Sequence, residues 1–229
     1  APSWPLRTTF AKTGELPEAD DLDFPIEAKT KYQTLAAKLT FDVPTEGTVE
    51  RFVAVAYEDP SPIEYLGQKL RPYWRESFSS FREMVEAALE EFTALREKCE
   101  RYDRMLLEDA RKCGGEKYAR LCALAFRQAI GAHKLTADFD GSALFFSKEN
   151  FSNGCIATVD VTYPSAPLFL LTAPELVKGM LRPILRYAES RRWKFPFAPH
   201  DLGTYPLANG QVYGGGEERE EDQMPVEES

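Results

Sequence analysis

The sequence predicts a mainly α-helical chain of paired helices, preceded by a short β region. Three observations point there. An apolar stripe at helical spacing begins at Phe78, a Gly114-Gly115 pair interrupts it, and side chains alternate strictly over residues 49–57. The first element to place is "LAAKLTFDV" (35–43), which has strand character and is followed by the turn signal Pro44-Thr-Glu-Gly47. Then "VERFVAVAY" (49–57) alternates, with Arg51, Val53, Val55 and Tyr57 on one side and Phe52, Ala54 and Ala56 on the other. Together they read as a hairpin of a larger sheet, since a lone hairpin is marginal in water. Residues 1–75 are therefore expected to be strand and loop.

From Glu76 the period changes. Phe78, Phe81, Val85, Ala88, Phe92, Leu95, Cys99, Tyr102 and Leu106 step alternately by three and four. Glu97 with Arg101, Glu100 with Arg104 and Glu108 with Lys112 add i,i+4 pairs on the exposed side. Ser77 or Ser79 can cap the start and the two glycines can end the helix. A second helix runs from Glu116 to about His133, with an apolar face wide enough to predict thorough burial. The same stripe suits a coiled coil, but the breadth of that second face favours a helical hairpin. His133, near the helix end, is placed to partner the last carbonyls.

Residues 138–160 are polar and irregular, with a short hairpin expected around Asp140-Gly141. Residues 165–171 read as a short apolar helix and 174–191 as a longer one, with Pro174 at its first turn and Pro183 expected to kink it. Finally, Pro225 is expected to open another helix, with Glu227 and Glu228 in its first turn.

Composition narrows the function. A net charge of −9 argues against nucleic acid, and 43% hydrophobic residues supply material for a core. No stretch approaches the roughly 20 apolar residues of a membrane span, and "APSWPL" at the start lacks the features of a signal peptide. Cys99, Cys113, Cys122 and Cys155 have no metal-ligand spacing, and no disulfide is implied. No metal and no cofactor are expected. The acidic run 217–222 reads as a solvated loop.

The chemistry therefore falls to the polar connections. Lys148, Asn150 and Asn153 lie in one, and Asp160 and Tyr163 follow. His200, Asp201, Tyr205 and Asn209 lie in another, and Glu227 and Glu228 in the last. Hydrolysis by an activated water needs one carboxylate to accept a proton and one acid to give it. Asp201 with Glu227 or Glu228 can supply that pair. Lys148 suits a substrate carboxylate, and Asn150, Asn153, Asp160, Tyr163, His200, Tyr205 and Asn209 can bind or orient substrate. Each has a structural alternative: Asp160 as a helix cap, His200 as a hydrogen-bonding anchor, the terminal glutamates as first-turn acids.

Four stretches together resemble the glutaminase A family: "LCALAFRQAIGAHKL" (121–135), "FSKENFSNGCIATVDVTYPSAPLFLL" (146–171), "FPFAPHDLGTYPLANGQVYGGGE" (195–217) and "QMPVEES" (223–229). "VERFVAVAYEDPSPIEYLGQKLRPYWRE" (49–76) resembles the end of that family's N-terminal β-sandwich domain. The resemblance implies a partial (α/α)6 six-hairpin toroid over 76–229, preceded by the end of a β-sandwich over 1–75. It implies a secreted or periplasmic protein that hydrolyses L-glutamine to L-glutamate and ammonia. A glycoside hydrolase of the six-hairpin type, with a saccharide as substrate, and a non-catalytic binding module are the alternatives. Six hairpins need about twelve helices and this chain supplies roughly four. A fragment is therefore expected, inactive alone and partnered by the rest of the same protein.

Overall fold

A computed structural model describes residues 3–22, 25, 27, 34–149, 152–220, 223–226 and 228–229. The chain divides into two compact units, Ala1–Val53 and Ala54–Ser229. The first unit opens with α1 (Ser3–Thr13), a helix where strand and loop were expected. Gly14, at φ +69°, ends it by donating its N–H to Phe10 O (2.8 Å), the left-handed stop that glycine adopts freely. Lys38 and Glu15 pair at 2.6 Å within this unit.

The expected hairpin over 35–57 does not form: these residues carry no strand. Leu35, Val43, Val55 and Tyr57 are exposed, so the alternating pattern meets no packed face. Alternation marks a surface fit for pleating, and without a laddered neighbour it does not make a strand.

Strands begin later, in the second unit. β1 (Ile63–Tyr65) and β2 (Gln68–Pro72) form a tight hairpin across Leu66 and Gly67, at φ +49° and +78°. Two successive positive φ values match the twist of antiparallel strands. β3 (His133–Ala137) and β4 (Ala143–Ser147) form a second hairpin around Asp140-Gly141, as expected. With β5 (Leu207–Ala208) they make one sheet in the order β4-β3-β2-β1-β5, in which only β1 and β5 run parallel.

The helical stripe is real but divided. α2 (Phe81–Glu90) is capped by Ser80, whose side chain accepts from Glu83 N (3.1 Å), one position past the expected caps. α3 (Phe92–Gly131) breaks at Gly115, where φ +77° and ψ −173° leave helical space. The two arms fold back so that Tyr102 meets Phe126 at 5.9 Å between ring centroids. A groove of about 410 Å³ runs between them, lined by Leu106, Leu107, Phe126 and Ile130. The expected burial of the second arm fails: Ala119 is buried, but Tyr118, Leu121, Leu124 and Ile130 are exposed. The arms meet along one stripe, and the rest of the wide apolar face is left outside it.

α4 (Val159–Thr172) starts six residues before the helix expected at 165, and α5 (Pro174–Ala188) carries Pro174 at its first turn. α5 lies on β4 through Gly179, where an added Cβ would stand 2.9 Å from Ala143 O. Ile63, Leu144, Phe146, Ile184, Tyr187 and Leu202 fill the main core between sheet, α5 and the following loop. Phe145, Phe169, Val177 and Met180 form a second cluster against α4. At Pro225 the expected helix is a single turn, with Glu228 N donating to Met224 O (3.2 Å).

Candidate functional site

Backbone pairing beyond β4 gathers the polar connections. Lys148 bridges Ile156 and Cys155 bridges Thr204, both antiparallel. Ile156 N donates to Gly203 O, and Leu202 N returns to Ile156 O, each at 2.9 Å. Val159 N donates to His200 O at 2.8 Å. This small ladder lays Cys155 against His200-Asp201 and delivers the chain to the start of α4, with Asp160 in its first turn. The C-terminal segment joins through Ala198 N, which donates to Glu228 O (3.1 Å).

Asp201 is fully buried. Its Oδ1 accepts from Gly203 N (2.8 Å) and Val212 N (3.0 Å), and its Oδ2 from Tyr213 N (3.1 Å). His200 Nδ1 also lies 3.0 Å from Oδ2, and the Cys155 sulfur lies within 4.8 Å of the same carboxylate. The carboxylate thus pins three backbone amides of the 199–216 loop in a water-poor interior. Gly203, at φ +136°, closes this turn so tightly that a Cβ would sit 2.1 Å from Leu207 O.

The His200 imidazole is held from every side. Tyr213 stacks on it at 4.1 Å and 20°. Its backbone N–H donates to Gln211 Oε1 (2.7 Å), and Gln211 in turn bonds Gln223. Its Nε2 faces Asp160 Oδ1 at 3.8 Å, and that aspartate side chain is 45% exposed. Burial is the largest single influence on the ring and favours its neutral form. The hydrogen bond to Asp201 and the charges of Asp201, Asp160 and Glu228 together outweigh it, and the pKa is raised.

Cys155 is instead held in its neutral form. Burial first, then the negative charge of Asp201 and Glu149, pushes its thiol up to about 12. A thiol so high is no nucleophile near neutrality, because only the thiolate attacks. Among the described residues, Cys155, His200 and Asp201 could hold a metal, since one ligand atom from each lies within 4.8 Å of the others.

Of the residues expected from sequence, His200, Asp201, Asp160 and Glu228 come together around the imidazole. Lys148 instead stands over the Tyr205 ring at 5.6 Å. Asn153 accepts from Cys155 N (2.8 Å) in a local turn. Asn209 spans Glu64 Oε1 and Gly67 N, each at 2.7 Å, and so fixes the β1–β2 turn. Tyr163 is 83% exposed on α4. Asn150 and Glu227 lie outside the described residues. Sequence reasoning missed Cys155, Gln211 and Tyr213 as parts of the site. Their role comes from the ladder that joins distant loops, and no local spacing signals it.

Residues 115–229 match the family model described as the glutaminase A six helical-hairpin domain. The chain belongs to the glutaminase A family. Residues 2–109 match a second model, described as a domain of unknown function, DUF5127. Glutaminase A of Aspergillus oryzae is 30% identical over 99% of the chain, and a probable glutaminase of Arthroderma benhamiae is 30% identical over 97%. The chain covers 33% and 27% of those proteins, so it spans about a third of the length of the relatives it matches. No solved structure matches it. The second arm of α3, α4 and α5 all lie within the residues matched to the helical-hairpin model. In this glutaminase A family chain, no helix among the described residues is long and apolar enough to cross a membrane.

Proposed function

We propose that the His200 cluster is the hydrolytic centre of a glutaminase-like amidohydrolase that converts L-glutamine to L-glutamate and ammonia. The observation that carries this reading is one imidazole with Asp160 at its Nε2, Asp201 at its Nδ1 and Glu228 adding its charge. Asp160 is the carboxylate a substrate can reach, and it takes the proton from the attacking water. Glu228 returns a proton to the departing ammonia. Asp201 orients the ring from behind, and the Nε2 side faces Asp160. The acidic surroundings also favour a substrate bearing an ammonium group, as an amino acid does. The helical pairs belong, on this reading, to a six-hairpin toroid whose connections form the rim of the site.

Paired carboxylates are also what a glycosidase uses, so a saccharide is the second reading. Assays of the full-length protein for ammonia, glutamate and reducing sugar separate the two. Equal ammonia and glutamate from L-glutamine, lost in Asp160→Asn and Glu228→Gln, support the first. Sugar release without ammonia supports the second. Ammonia release undiminished in both variants refutes the assignment of Asp160 and Glu228.

A further inference from the structure

We propose that Cys155, His200 and Asp201 form a binding site for a thiophilic divalent cation of the zinc type. The site ties the 148–158 connection to the 199–216 loop. Its three side chains supply a sulfur, a nitrogen and an oxygen, the donor set that borderline-soft cations prefer over hard ones. All three are buried, at 2%, 5% and 0% exposure, so they face one another and not bulk water.

The hydrogen-bond inventory points the same way. A carboxylate offers about four lone-pair positions. Gly203 N, Val212 N and Tyr213 N take three of those on Asp201, and His200 Nδ1, 3.0 Å from Oδ2, takes what remains. The Cys155 sulfur stands within 4.8 Å of both ligand atoms, with no position on the carboxylate left for its proton. A cation removes the conflict. The thiol gives up its proton, and His200 presents an unprotonated Nδ1 with its remaining proton on Nε2. Sulfur, nitrogen and oxygen then all direct lone pairs at one point. Thiolate and carboxylate carry two negative charges, which a divalent cation neutralises, so the buried cluster carries no net charge.

The surroundings are built as a metal site's outer shell is built. Asp201 is oriented by three backbone amides. His200 is clamped by the Tyr213 ring and by Gln211, and its far nitrogen faces Asp160. A carboxylate behind a ligating histidine fixes its tautomer and strengthens it as a donor. The ligands come from two connections, so the cation is expected to stabilise their junction whatever reaction the protein performs.

The test uses the whole 229-residue chain. Zinc is added in excess, free metal is removed by dialysis, and bound metal is counted by mass spectrometry. About one retained equivalent per chain is expected, and chelation should lower the melting temperature reversibly. Cobalt is then substituted and the near-ultraviolet thiolate-to-cobalt band recorded. The band should persist in a variant carrying Cys99→Ser, Cys113→Ser and Cys122→Ser, and vanish in Cys155→Ser. Retention of no zinc by the parent chain overturns the proposal. So does a band that disappears with the helix cysteines and survives Cys155→Ser.

Discussion

Replacing Asp201 by alanine is the most informative single perturbation, because the buried carboxylate is expected to hold the loop as well as the imidazole. The change strips acceptors from three backbone amides at 2.8, 3.0 and 3.1 Å. A buried donor left without a partner costs roughly 1–3 kcal/mol. Three of them sum to about 3–9 kcal/mol. Water entering the space left by the side chain recovers part of this, so a loss of about 4 kcal/mol is expected, at the upper end for single substitutions. For a domain of this size each kcal/mol moves the melting temperature by about 2–4 °C, so Asp201→Ala should melt roughly 8–16 °C lower. Thermal unfolding followed by circular dichroism, with urea unfolding as a check, reads this directly. A purely catalytic carboxylate behaves differently, since its removal abolishes turnover and leaves stability unchanged. A variant melting within about 2 °C of the parent refutes the role as loop anchor.

Two further outcomes follow from the same loop. Gly203→Ala should destabilise by at least about 2 kcal/mol in urea unfolding, because the added Cβ meets Leu207 O and the backbone stands at positive φ. The chain has only two histidines, so proton NMR of the chelated protein should show two imidazoles titrating on opposite sides of 6.5. His200 titrates above it, held by Asp201, Asp160 and Glu228 against the effect of burial, and His133 below it because it is buried. Stability drawn from charged His200 is then full below 6.5 and lost as pH rises through its folded pKa. That drawn from neutral His133 is present above 6.5 and lost as pH falls through its own.

Helices and turns were legible where local chemistry decides them. Helix over Phe81 to Leu106, divided after Glu90, the Gly114-Gly115 reversal, the Asp140-Gly141 hairpin and Pro174 at a helix start are found, because each is fixed within a few residues. His133 also sits as expected, with Nδ1 2.6 Å from Ala129 O near the end of α3. The β region was misread. "FVAVAY" alternates without a neighbouring strand, whereas "IEYLGQKLRP" pairs firmly with weaker alternation, because β3 and β5 flank it. Strand identity depends on such distant partners. The site divides in the same way. His200 and Asp201 stand out as a dipeptide in a glycine-rich loop. Cys155 and Tyr213 acquire meaning only when the ladder closes and the loop folds over the ring.

Calorimetric titration of L-glutamine into the full-length protein and into its Asp160→Asn variant tests the proposed centre most directly. Asp160 is solvent-exposed and its change leaves the buried network intact, so the variant should keep its melting temperature. Binding by the parent, weakened at least about tenfold in the variant, is the predicted result. Equal affinities in the two proteins, or no binding by the parent, would contradict it.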